Sequence, residues 1–200
     1  MGGTTESSYL KRHNAGKDAG RVKMIAIITD NQKEQIGTAL YHYFRKQGEQ
    51  VELISASERK IEPCYGCEGC TNKTYNQCVV RDDMDVILPI LIKAEVIVFV
   101  SPLWWGGFSG DVKKILDKTA LIGDCFYHVK NGELYKGTIG SVKKMVGLAV
   151  SAQASEKAES CFAGYLKEIG ILMGIDAFGK VVSPDLDERK MEQLGMEVLS

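Results

Sequence analysis

The chain reads as an α/β protein of the doubly wound class: a five-stranded parallel sheet with helices on both faces. Three observations predict this. Short apolar, β-branched runs recur along the sequence without the polar–apolar alternation of a half-solvated strand, which is the pattern of strands buried on both faces. Between them lie segments whose apolar residues repeat at helical spacing. Strand and helix alternate throughout, and a strand–helix–strand alternation folds as a parallel sheet with right-handed crossovers.

Taken in order, residues 1–21 are polar, carry a small basic patch at Lys11, Arg12 and His13, and show no period. They are expected to form a flexible arm ahead of a single domain over 22–200. Lys23 to Ile28 is the first continuous apolar run and the first strand. After a polar loop, Ile36, Leu40, Tyr43 and Phe44 share one helix face, and Gly48 ends that helix. Val51 to Ile54 gives the second strand. Asp82 and Asp83 stand before a helix carrying Met84, Ile87, Leu88 and Leu91, where carboxylates are expected to cap free N–H groups rather than to act as an acid–base pair. Pro89 is expected to kink or end that helix. Glu95 to Ser101 is the third strand, and a helix follows from about Gly110 to Leu121. Residues 123–140 read as an irregular polar connection, long enough to suggest a functional excursion. Val142 to Ser151, Glu156 to Met173, Ala177 to Val182 and Leu186 to Leu199 complete the order as strand, helix, strand and helix.

Composition narrows the function classes. A net charge of −1 offers no electrostatic footing for nucleic acid or an anionic membrane. No apolar run reaches the roughly twenty residues of a membrane helix, and the N-terminus has no apolar signal core. A cytoplasmic protein is therefore expected, and there clustered cysteines serve metal or redox chemistry more often than disulfides.

Four of the six cysteines fall within fifteen residues, at Cys64, Cys67, Cys70 and Cys78, with spacing C-x2-C-x2-C-x7-C. A tight C-x2-C-x2-C run supplies three thiolates from one loop to an iron–sulfur cluster, with a fourth nearby. Gly66 and Gly69 stand between the thiols, where a chain wrapping a cluster needs freedom of φ and little bulk. Zinc is a second reading, although structural zinc usually takes two pairs separated by a longer knuckle. A loop of reduced cysteines with no metal is the third. Cys125 and Cys161 stand alone and read as packed or inert thiols. Tyr65 and Tyr75 read as packing residues, and His13, His42 and His128 as solvated or structural.

In an open parallel sheet, ligands bind beyond the carboxyl ends of the strands, where the strand order reverses. The loops over 29–38, 101–109 and 151–155 belong to that edge, and the cysteine loop follows the second strand at the same end. Trp104 and Trp105 are adjacent in a loop flanked by Pro102, Gly106 and Gly107. Two successive indoles in such a loop cannot both turn inward, so one is expected to offer its face to a planar ring.

The segment Ser101-Pro-Leu-Trp-Trp-Gly-Gly-Phe-Ser-Gly110, with Lys113 and Asp117 behind it, resembles the flavin-contacting loop of flavodoxin-like NAD(P)H-dependent FMN reductases. Together with Pro63-Cys-Tyr-Gly-Cys-Glu-Gly-Cys70, Cys78 and Asp82-Asp-Met84, the resemblance narrows to the iron–sulfur flavoprotein branch. It implies a flavodoxin-like fold, bound FMN, and a [4Fe-4S] cluster on Cys64, Cys67, Cys70 and Cys78. It also implies a homodimer or homotetramer in which one subunit's cluster approaches another's flavin. NAD(P)H or a ferredoxin-like protein would supply electrons, and no side chain need act as acid, base or nucleophile. The phosphate of FMN would lie at Asn31, Lys33 and Thr38. The ring would lie against Pro102, Leu103, Trp104, Trp105, Gly106 and Phe108, with Ser151 and Ala152 on its far side. Where the family's phosphate loop resembles G-S-P-R-x-x-x-N-T, this chain has Asp30-Asn-Gln-Lys-Glu-Gln-Ile-Gly-Thr38. Two other readings follow: a cluster-free FMN- or quinone-type reductase, and a degenerate flavodoxin-like binding module without flavin.

Overall fold

A computed structural model describes residues 22–31 and 34–200; the arm expected over 1–21, and Lys33, lie outside the described residues. The elements are β1 (Met24–Thr29), α1 (Gln35–Lys46), β2 (Gln50–Ser55), α2 (Gly69–Asn72), α3 (Met84–Lys93), β3 (Val96–Pro102), α4 (Gly110–Asp117), β4 (His128–Lys130), β5 (Glu133–Tyr135), β6 (Lys144–Val150), α5 (Glu156–Met173), β7 (Asp176–Val182) and α6 (Glu188–Leu199). Single 3-10 turns at Ala56–Glu58 and Lys118–Ile122 follow β2 and α4.

Strands β2-β1-β3-β6-β7 form one parallel five-stranded sheet, the doubly wound architecture expected. Its apolar runs are explained by two cores. Successive side chains of a strand point to opposite faces. In β1, Ala26 and Ile28 face one core while Ile25 and Ile27 face the other, and in β3 Ile97 and Phe99 oppose Val96, Val98 and Val100. The first core is closed by α3, α4 and α5, the second by α1 and α6.

Two local expectations are corrected. Pro89 does not end α3, which continues through it from Met84 to Lys93. The ring is exposed, so the hydrogen bond it removes faces water, while Met84, Ile87 and Leu91 anchor the helix from its buried side. The connection over 123–140 is not irregular throughout, for β4 and β5 pair there as an antiparallel hairpin. Asn131 (φ 55°) and Gly132 (φ 83°) form its turn, the left-handed pair that a two-residue hairpin loop demands.

Candidate functional site

Strand order reverses between β1 and β3, since the chain runs from β1 out to β2 on one side and returns to β3 on the other. In an open parallel sheet a ligand is expected beyond the carboxyl ends of these two strands. This edge is held by backbone bonds: Asp30 N–H donates to Val100 O at 3.1 Å, and Ser57 N–H to Asp30 O at 2.9 Å. The Asp30 carboxylate also accepts the Ser109 hydroxyl, and Ser109 N–H donates to the buried Ser101 Oγ at 3.1 Å. The loops after β1 and β3 are thus tied to one another.

In the loop after β1, where the phosphate was expected, Glu34 is the residue that caps α1. Its carboxylate accepts Ile36 N–H at 2.9 Å and, closer still, Gly37 N–H. Burial raises the pKa of this carboxyl; the two N–H donors act against that, and the neighbouring Asp30 adds to it. The first amides of a helix attract anions. Here the group they hold is the carboxylate of Glu34 itself, so these amides are already engaged by an acceptor of the chain. Among the expected phosphate donors, Asn31 gives its amide to Asp30 Oδ2 at 3.0 Å, and the Thr38 hydroxyl donates to Glu34 O at 2.8 Å.

In the loop after β3, where the ring was expected, Pro102 is exposed and Leu103 half-buried, with Leu103 N–H bonded to Val150 O at 2.9 Å. Trp104 and Gly107 exchange two backbone hydrogen bonds of 2.9 Å, closing a tight turn with Trp105 (φ 51°) and Gly106 (φ 78°) at its tip. Trp104 is 63% exposed and Trp105 96% exposed, so both indoles face solvent rather than the core. Phe108 is buried edge-on to Phe162, ring centroids 5.0 Å apart and planes at 73°, and beneath it lies Phe99. It packs the base of the loop. On the far side Ser151 Oγ donates to Gln153 O at 2.8 Å, and Ala152 is exposed.

The cysteine loop leaves the sheet after β2 and returns at α3. Cys64 and Cys67 are exposed, Cys70 and Cys78 half-buried, and all are free thiols. All four line one small cavity of about 40 Å³, together with Lys118 and Leu121. They surround a space instead of gathering at a point, and among the described residues no three His, Cys, Asp or Glu side chains are grouped to hold a metal ion. Gly66 (φ 63°) has the left-handed backbone anticipated for it, shared by Glu68 (φ 55°), Tyr75 (φ 42°) and Asn76 (φ 61°). Gly69 is needed for a different reason: a Cβ there would come within 2.6 Å of Val79 Cγ1 and 3.6 Å of Cys67 Sγ.

Sequence reasoning missed what fastens this loop. Asp82 bonds Met84 N–H at 2.9 Å, as a capping carboxylate would, but also Glu62 N–H at 3.0 Å and the buried Lys118 ammonium. Asp83 caps nothing with its side chain; the carboxylate accepts Lys60 N–H at 2.8 Å. Within the loop, Asn76 donates to Leu121 O at 2.9 Å and Gly123 O at 2.7 Å, and accepts the Cys125 thiol at 3.1 Å. Cys125 therefore adjoins the cysteine loop instead of standing apart. Tyr65 and Tyr75 are exposed, not packing residues.

A family model described as NADPH-dependent FMN reductase matches residues 22–170. An iron-sulfur flavoprotein of Methanocaldococcus jannaschii is 34% identical over 74 residues, 37% of this chain and 37% of that protein. An iron-sulfur flavoprotein of Archaeoglobus fulgidus is 26% identical over 159 residues, 76% of this chain and 65% of its own. For the first three curated relatives, the matched part spans 37%, 47% and 51% of their length. Among solved structures, an NAD(P)H:quinone oxidoreductase from Methanothermobacter marburgensis superimposes with TM-score 0.61 at 14% identity, covering 88% of this chain and 95% of that one. A quinone reductase from Klebsiella pneumoniae gives TM-score 0.64 at 12% identity, covering 88% and 82%. These two share the fold. With the family model spanning the sheet from β1 into α5, the chain belongs to the NADPH-dependent FMN reductase family.

Proposed function

We propose that this protein is a flavin-dependent oxidoreductase that passes electrons between FMN and a [4Fe-4S] cluster held by Cys64, Cys67, Cys70 and Cys78. When bound, FMN supplies hydride and single-electron chemistry, and the cluster supplies one-electron transfer. The chain's own work is position and electrostatics. The α1 amides at Ile36 and Gly37, with Asn31 and Thr38, would hold the phosphate, Lys33 being the further donor expected from the sequence, while the loop from Pro102 to Gly106, with Ser151 and Ala152 opposite, would hold the ring. NAD(P)H would be the donor, a ferredoxin-like protein a partner, and a homodimer or homotetramer the assembly.

The observation that carries this reading is the common cavity of the four thiols, walled in part by the 3-10 turn that continues α4 from the tryptophan loop. A redox-suited donor set thus shares a wall with the element leading away from the ring end. Zinc, with Zn–S bonds of about 2.3 Å, would draw its thiolates together around one point. Thiols ranged about a space suit a cluster with several metal corners better. The names of the archaeal relatives agree.

Protein purified without oxygen should show flavin bands and a broad brown shoulder that dithionite bleaches, with iron by chemical assay. Cys67→Ser should lose the iron and keep the flavin; equal iron in that variant would remove Cys67 from the ligand set. A second reading, a cluster-free FMN- or quinone-type reductase, is favoured by the fold shared with the NAD(P)H:quinone oxidoreductase. Flavin without iron in the anaerobic protein would decide for it.

A further inference from the structure

Lys118 and Asp82 form an ion pair whose side chains are 2% and 5% exposed. Lys118 also lines the cavity shared by the four thiols. A buried ion pair is a poor way of filling space, because apolar residues of equal volume often do as well or better for stability. The position of this one is therefore informative. Asp82 lies where the cysteine loop closes, joined to Glu62 N–H at its start and Met84 N–H at its end. Lys118 comes from the turn after α4, so its charge is brought to the cavity by a separate element.

Other charged groups around the cavity are differently placed. Asp117 is paired with Lys113, both partly exposed, and Glu68 is an exposed side chain bonded to Asn72. Solvent screens these, whereas a buried charge is screened far less. The reduction potential of a thiolate-held cluster depends on nearby charge and on exposure to solvent. A cluster that gains an electron becomes more negative. A neighbouring ammonium favours that state, and a neighbouring carboxylate opposes it.

We propose, resting on the cluster reading above, that Lys118 and Asp82 are positioning residues that set the reduction potential of the centre in this cavity, with opposite signs. The step is a one-electron reduction: the centre gains one electron, and bound reduced flavin, or dithionite in the assay, loses it. Neither side chain forms or breaks a covalent bond or transfers a proton.

The test is an anaerobic potentiometric titration, followed by visible absorbance and electron paramagnetic resonance, of the iron-loaded full chain. Lys118→Gln should make the centre harder to reduce, raising the oxidised-to-reduced ratio about tenfold at fixed potential, or 59 mV for one electron. Asp82→Asn should shift the ratio the other way by a smaller factor, since Lys118 lines the cavity and Asp82 does not. Lys118→Arg should restore wild-type behaviour, and the double variant Lys118→Gln/Asp82→Asn should lie between the two single variants. A pair that only fastens the loop would move both single variants the same way or neither, and that result overturns the proposal. So does loss of iron from every variant while the wild type retains it. A wild type that never takes up iron overturns the cluster reading itself, and is recognised before any variant is made.

Discussion

Glu34 Oε1 accepts the Ile36 N–H at 2.9 Å, so the first free amides of α1 hold a carboxylate of the chain itself. A phosphate dianion bound at these amides would have to displace that group or share the space with it, and like charges held a few ångströms apart repel when partly buried. A flavin lacking the phosphate meets no such conflict. Glu34→Gln, which keeps an acceptor and removes the charge, is expected to raise FMN affinity about tenfold, equivalent to about 1.4 kcal/mol, and to leave riboflavin affinity unchanged. Fluorescence quenching of each flavin by the apo-protein checks this. An equal gain for both flavins would mean that Glu34 acts through loop shape and not charge.

Trp105 carries a left-handed backbone (φ 51°) and stands 96% exposed, so its ring contributes little to the fold. Asparagine adopts that backbone more readily than tryptophan. Trp105→Asn should leave unfolding free energy within about 0.5 kcal/mol of wild type, the range of ordinary surface changes. Flavin affinity should fall about fivefold, the loss of an aromatic contact worth about 1 kcal/mol. Urea unfolding without flavin and flavin titration separate the two effects. A large loss of stability with unchanged binding would return the indole to a structural role.

The central strands were legible because both of their faces are buried, which calls for apolar residues along 25–28 of β1 and 96–100 of β3 whichever way each points. The β4–β5 hairpin gave no such signal: its residues are almost all exposed, as in His128-Val-Lys130. Its one clear mark was the Asn131-Gly132 turn, a local rule that reads independently of burial. The site was legible in its residue types and not in its fastenings. The four cysteines announce themselves by spacing, whereas Lys118 and Asp82 are 36 positions apart and each looks like a helix-end charge until the fold joins them. Likewise Glu34 is visible as a negative charge, but that its carboxylate turns back onto Gly37 depends on the loop before α1.

Packing beneath the tryptophan loop can be tested without touching the loop. Gly147 in β6 faces Leu166 and Phe108, and a Cβ there would lie 2.8 Å from Leu166 Cγ and 2.9 Å from Phe108 Cζ. All three are in the interior, so the neighbours cannot swing into solvent. Gly147→Ala should destabilise by about 1–3 kcal/mol, the usual range for overpacking. Because Phe108 supports the loop that carries Trp104 and Trp105, flavin binding should weaken as well. Gly147→Ala combined with Phe108→Leu, which relieves the contact with Phe108 but not that with Leu166, should recover only part of the stability in denaturant unfolding.

The closure of the cysteine loop predicts how the protein responds to acid. Burial alone would raise the Asp82 carboxyl above its ordinary value of 3.8, but the Lys118 ammonium and the N–H groups of Met84 and Glu62 outweigh burial and hold it lower. The folded protein therefore gives up this proton more readily than the unfolded chain. The stabilisation is fully present above pH 3.8 and is lost as pH falls below that value toward the lowered folded one. Asp82→Asn leaves a buried ammonium without its counter-charge, a change that costs about 3 kcal/mol or more at neutral pH. The gap between wild type and variant should be widest from pH 5 to 7 and should narrow as acid protonates Asp82 in the wild type. Unfolding free energies measured by urea at a series of pH values test this, and a gap that stays constant down to pH 3 would show that charge at Asp82 does not hold the loop shut.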